Sequence, residues 1–145
     1  MSDGTAVVRR YVEIMNLRDY DKLDEVLTDD HVWHAVVEDV DRHGIGEFRE
    51  VVSRYTASLP DMTMTIHHIF GDGEMVGVRL THAGTHTGDA GWAGLEPTGS
   101  SMEFVMHLHA RLEGGKIAEV WELFDRMVMN EQLGIGERPR WKWGP

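Results

Sequence analysis

The residues best suited to chemistry gather around one β-turn. Gly114-Gly115 reads as the two-residue loop of a hairpin, because both central positions of such a turn favour positive φ. Pairing Glu113 with Lys116 and counting outward sets His109 opposite Val120 and His107 opposite Glu122, with the polar side chains on one face. Directly opposed residues of an antiparallel ladder have Cβ atoms about 4.5–5.5 Å apart, within hydrogen-bonding reach for an imidazole and a carboxylate. Lining an apolar pocket, that pair would be a proton-transfer unit, since burial raises a carboxylate pKa toward the pH at which a general base works best. On a solvated face it is an exposed His–Glu pair, and a register slip of one residue turns the partners apart.

Other candidates keep them company: His34, His82 and His86, with Trp33, Trp92 and Trp121, in a chain of nine His. Imidazoles titrate near neutrality, although a lone His is more often a satisfied structural donor. His107-Leu108-His109 followed by Glu113 reproduces the H-x-H-x₃-E spacing of metal-binding cupins. The match is partial, with the flanking glycines out of register and Glu113 at the hairpin turn, so no metal is expected. There is no Cys nucleophile, G-x-S-x-G elbow, P-loop lysine motif or G-x-G-x-x-G between strand and helix.

The elements that must position these residues follow from periodicity. Residues 5–18 put Val7, Val8, Tyr11, Val12, Ile14 and Met15 on one broad helical stripe, with Ser2 or Asp3 as N-cap. Residues 19–27 continue at helical spacing, and 31–37 read as a first strand. Phe48, Val51, Val52 and Tyr55 fall at i, i+3, i+4 and i+7 of a third helix over 46–59, stopped by Pro60. From Met62 the period changes to two, giving strands over 62–70 and 75–82 about a Gly71-Asp72-Gly73 turn. A Gly-rich connection over 84–99 leads to the long hairpin, in which Met102, Phe104, Met106 and Leu108 alternate with Glu103, Val105, His107 and His109. A last helical turn over 127–133 precedes a tail, 135–145, that is expected to be loose. Helices first and antiparallel strands afterwards describe an α+β domain spanning 1–145, its helices covering one face of a curved sheet over a partly polar pocket.

Composition excludes several partners. The chain has 145 residues, 25 acidic against 14 basic, for a formal charge of −11, and no Cys. That charge repels a phosphate backbone or an anionic membrane unless a basic patch intervenes, and none is visible, so neither nucleic acid nor membrane is expected as partner. The first residues lack the pattern of a signal peptide, and no apolar run approaches the 18 or so residues of a membrane span. The expectation is a cytoplasmic protein that folds without disulfides.

The order Gly84-x-His86-x-Gly88, Pro97-Thr98-Gly99, Gly114-Gly115-Lys116-Ile117, Trp121-Glu122 and Gln132-Leu133-Gly134 resembles the SnoaL-like polyketide cyclases and related ester cyclase proteins of the NTF2-like superfamily. The resemblance extends over nearly the whole chain. It implies an α+β cone around a deep pocket, a homodimer or homotetramer, and closure of an aromatic polyketide ring by intramolecular aldol condensation, in antibiotic biosynthesis, without metal or organic cofactor. In those cyclases an acidic residue just past the hairpin acts as acid/base and a His on the preceding strand assists. Carried over, the acid is Glu122, where characterised cyclases have Asp. The His is His107 if one residue is gapped before the turn; ungapped, Leu108 falls there and His109 stays in play. Asp125 is either a second acid or a helix cap. Trp33, His34, Met64, His86, Trp92 and Phe104 are the candidates for contacting a hydrophobic polycyclic substrate. Relatives of this fold also include epoxide hydrolases, isomerases and non-catalytic small-molecule binders, and these readings stay open.

Overall fold

Val8, Tyr11, Val12 and Met15 recur at i, i+3, i+4 and i+7, and the helix α1 (Thr5–Leu17) buries all four, with Ile14, against the sheet. In this computed structural model, which describes residues 4–89 and 94–137, α1 is followed by a 3₁₀ segment, Tyr20–Glu25, rather than the expected second α-helix. Leu23 alone within that segment is buried, so a full turn of apolar residues is not there to stabilise one. The first strand β1 (Leu27–Ala35) starts four residues before the expected His31. Asp29 and Asp30 are exposed within it while their backbone joins the sheet, so two adjacent charges hide the start of the strand in the sequence.

A short edge strand β2 (Val40–His43), unforeseen because its V-D-R-H sequence is charged and exposed, pairs antiparallel with β1. The helix α2 (Gly44–Ser58) then buries Phe48 and Val52, and Pro60 follows its end. Strands β3 (Thr63–Asp72) and β4 (Met75–Thr85) form one hairpin, whose turn is Gly73-Glu74 and shares only Gly73 with the expected Gly71-Asp72-Gly73. The strands β5 (Ser101–Glu113) and β6 (Lys116–Phe124) form the other, with Gly114 and Gly115 at φ 58° and 81°. The helix α3 (Arg126–Leu133) closes the described chain. The sheet order is β2-β1-β6-β5-β4-β3. All neighbours are antiparallel except β1 and β6, which run parallel.

Strand β5 shows the logic of the sheet. Met102, Phe104, Met106, Leu108, Ala110 and Leu112 are buried toward the helices, while Glu103, Val105, His107 and His109 are exposed on the outer face. Along β6 the same alternation is broken once. Glu113 pairs with Lys116 and Leu112 with Ile117, but Arg111 pairs with Glu119, leaving Ala118 as the extra residue of a β-bulge. Every later residue of β6 is shifted by one. Val120 opposes Ala110, Trp121 opposes His109 and Glu122 opposes Leu108, so the expected pairing of His107 with Glu122 does not occur.

The family-like motifs are clamps. The Gly88 N–H donates to the Ser58 carbonyl at 3.0 Å, and a Cβ at Gly88 would lie 1.8 Å from the Ala57 carbonyl oxygen; only glycine lets this loop seat on the end of α2. His86 is buried and lies 3.1 Å, Nδ1 to Oγ1, from Thr98, while the Gly99 N–H donates to the His86 carbonyl at 2.8 Å. Gln132 takes the Glu103 N–H on its Oε1 and donates its Nε2 to the Glu103 carbonyl, both at 2.9 Å, tying α3 to β5. Among the described residues no helix is long and apolar enough to cross a membrane.

Candidate active site

The inner face of the sheet does not meet the helices everywhere. Between β1, β3, β4, β5 and β6 on one side and α1, α2 and α3 on the other lies a cavity of about 240 Å³. Its apolar wall includes Met15, Phe48, Val52, Met64, Phe104 and Phe124, and its polar groups include Tyr11, Tyr55, His82 and Glu122, with Glu38, Arg42, Arg54 and Arg126. The helical stripe of α2 explains part of this: Phe48, Val51, Val52 and Tyr55 all line it.

Glu122 reaches this space because the bulge at Ala118 turns it inward. Its rung neighbours are Leu108 on β5 and Ala35 on β1. Removed from most of the solvent and with the Glu38 carboxylate nearby, its carboxyl is pushed up to about 7, with a smaller opposing pull from the Trp33 indole. Burial comes first among these causes. The Trp33 Nε1 itself is buried and has no hydrogen bond of normal geometry. Tyr11 and Tyr55 are both raised, chiefly by burial and then by the charge of Glu122, so both phenols stay protonated and act as donors.

His82 supplies the other titratable group. It is buried, lies flat on Phe104 with ring centroids 5.1 Å apart and planes at 9°, and has Nδ1 at 3.3 Å from the Tyr55 hydroxyl. Burial lowers its pKa to about 4, so it is a neutral imidazole at neutral pH. Its rung partner on β5, Phe104, is four residues from Leu108, the partner of Glu122, which separates the two groups by about 13 Å along the sheet. The sequence names His82 only in company, yet it is in phase with the buried Val76, Val78 and Leu80 of β4; that period-two signal marks it as inward.

Of the sequence candidates, Glu122, Trp33, Met64 and Phe104 come together at the cavity. His107 and His109 do not, being on the outer face of β5, and Glu113 lies four extended residues beyond His109, roughly 13 Å away, too far for one ion to be shared. Asp125 caps α3, accepting from the N–H groups of Met127 at 3.0 Å and Val128 at 3.2 Å. His34 points away from the cavity: it lies 2.7 Å from both Asp41 and Glu119, stacks on Trp121, and is raised in pKa first by Glu119. His86 belongs to the loop clamp and is not among the lining residues. Trp92 lies outside the described residues.

Helices laid over one face of a curved, open sheet, with an acid and a neutral imidazole in the space between, define an α+β cone of the NTF2-like kind. The SnoaL-like polyketide cyclase family model matches residues 5–133, and the chain belongs to that family. It is similar in structure to IdmH of Streptomyces antibioticus, a polyketide cyclase by provisional assignment, at 28% identity and TM-score 0.79, covering 90% of this chain and 98% of that one. TsrD of Streptomyces laurentii shares the fold at 20% identity and TM-score 0.80, covering 90% and 94%. AclR of Streptomyces galilaeus, provisionally a hydroxylase, does so at 21% and 0.77, covering 90% and 95%. No functionally curated sequence matches the chain.

Proposed function

We propose that this protein closes a ring of an aromatic polyketide by intramolecular aldol condensation, with Glu122 as the acid/base. The observation that carries the reading is a carboxyl held near pKa 7 in the wall of a largely apolar cavity. Ionised, Glu122 removes a proton from a carbon flanked by two carbonyls. The electron pair spreads as an enolate into the fused rings, and the carbon attacks the second carbonyl, forming the new C–C bond. The resulting alkoxide takes the proton back from Glu122. Atoms balance without a co-reactant, and one group near pKa 7 is both a competent base and a competent acid at neutral pH. The apolar wall supports folding of the chain into a reactive conformer, while the protonated Tyr11 and Tyr55 are donors for substrate oxygens.

The reading includes assembly as a homodimer or homotetramer, for which the exposed Val105 and Leu123 on the outer sheet face offer apolar contact; light scattering of the purified protein measures it. The decisive experiment is turnover of a polyketide ketoester by wild type and Glu122→Gln. Loss of product by at least two orders of magnitude, with the fold intact by circular dichroism, is expected. Undiminished cyclisation in the variant removes the mechanism.

A further inference from the structure

The mouth of the cavity is not chemically neutral. In a chain of net charge −11, three guanidiniums, Arg42, Arg54 and Arg126, line it, with Glu38 as the carboxylate among them. Glu38 is divided between two of these, at 3.4 Å from Arg126 and 3.6 Å from Arg42. The other ion pair of Arg42, with Glu47, is 3.8 Å long. Neither Arg42 contact is a hydrogen bond by length.

Arg42 is thus under-committed, and its Nε is buried without a partner. The Arg42 guanidinium sits 5.8 Å from the ring of Trp33, its partner on the β1–β2 ladder. Buried donors without acceptors cost about 1–3 kcal/mol each in general and in native proteins are usually explained by a missing acceptor. The Arg42 Nε is such a donor in the wall of the cavity, beside a carboxylate stretched between cations. The cavity volume of about 240 Å³ is also below the roughly 300–1,000 Å³ that encloses a drug-sized ligand. A multi-ring molecule would therefore seat one edge against Phe104 and Phe124 and present the other to the arginines.

We propose that the substrate bears a free carboxylate, and that Arg42 and Arg126 bind it at the mouth in place of Glu38. The inference rests on the reading of the cavity as a polyketide site, but it concerns recognition and not the aldol step. It yields a counter-intuitive sign. Glu38 competes with the ligand carboxylate for the same guanidiniums, so deleting its charge should improve binding.

Binding alone tests this, with a dihydroxyanthraquinone carboxylic acid and its methyl ester as probes and their absorbance or fluorescence as the signal. Wild type should bind the acid about tenfold or more tighter than the ester at low salt, an advantage that added salt erodes. Arg126→Gln and Arg42→Gln should each reduce that ratio severalfold by weakening the acid alone. Glu38→Gln should tighten the acid severalfold and leave the ester unchanged. Should Arg42→Gln fail to fold by circular dichroism, Arg126→Gln and Glu38→Gln decide. Equal affinity for acid and ester in wild type, or a ratio unmoved by those variants, overturns the carboxylate while leaving the aldol reading standing. Binding of neither probe overturns the proposal and also counts against the polyketide reading itself.

Discussion

Replacing Glu122 by Gln should make the protein more stable, by an amount that grows with pH once the acid of the unfolded chain ionises. The carboxyl is held up at about 7 in the fold and titrates near 4.3 in an unfolded chain. Between those values the folded state keeps a proton that the unfolded state has released, so stability falls as pH rises through that window. With about 1.36 kcal/mol per unit, the loss accumulates to about 3 kcal/mol by pH 8 and is almost absent at pH 4. Glutamine keeps the size and removes the titration. Differences between the Glu122→Gln and wild-type unfolding curves should therefore grow from near zero at pH 4 to about 3 kcal/mol at pH 8, or roughly 10 °C in Tm. The lowered pKa of His82 acts oppositely, taking stability away as pH falls from about 6.5 toward 4; being common to both proteins, it cancels in the difference. Urea denaturation at five or six pH values between 4 and 8 measures it. A pH-independent difference, or a variant less stable at pH 8, would refute the assignment of a buried, high-pKa acid at position 122.

Three further outcomes are expected. Asp125→Ala removes the cap of α3 and should cost about 1 kcal/mol in chemical denaturation, with ring closure unchanged; a collapse of turnover would restore Asp125 as a second acid. The double change His107→Ala and His109→Ala, on the outer face, should leave cyclisation intact and stability within about 0.5 kcal/mol per site, and a large kinetic loss would show that the cavity is not where chemistry happens. Gly88→Ala drives a Cβ into the Ala57 carbonyl and should cost more than about 3 kcal/mol, read as a drop in Tm or in soluble yield.

Much of the fold was legible because its signals are local. The i, i+3, i+4, i+7 stripe of Phe48, Val51, Val52 and Tyr55 located α2 and its inward face, and the strict alternation from Met102 to Leu108 located β5. What was not legible depends on long-range pairing. The parallel contact of β1 with β6 and the edge strand Val40–His43 carry no periodic mark of their own. The candidate site was legible only in part for the same reason. Glu122 does line the cavity, but pairing it with an imidazole by counting from the turn assumes an unbroken ladder. Ala118, small and unremarkable in sequence, breaks it. His34 and His86 drew notice as imidazoles among aromatics, whereas one is paired with two carboxylates outside the cone and the other holds a loop. Their residue type said nothing about which way they point.

The extra residue at Ala118 works as a phase shifter for the end of the chain. Upstream of it, Ile117 faces the interior; downstream, the even-numbered Val120, Glu122 and Phe124 do, while Glu119, Trp121 and Leu123 look out. Were Ala118 to take an ordinary rung of the ladder instead, the two sets would exchange, offering an indole and an isobutyl group to the cavity and handing the acid to bulk water. Loss of the alanine alone would leave Arg111 opposite Glu119 and every later rung in place, whereas one residue lost between Glu119 and Trp121 would turn the acid outward, so the length of that short stretch is under tighter constraint than its identity.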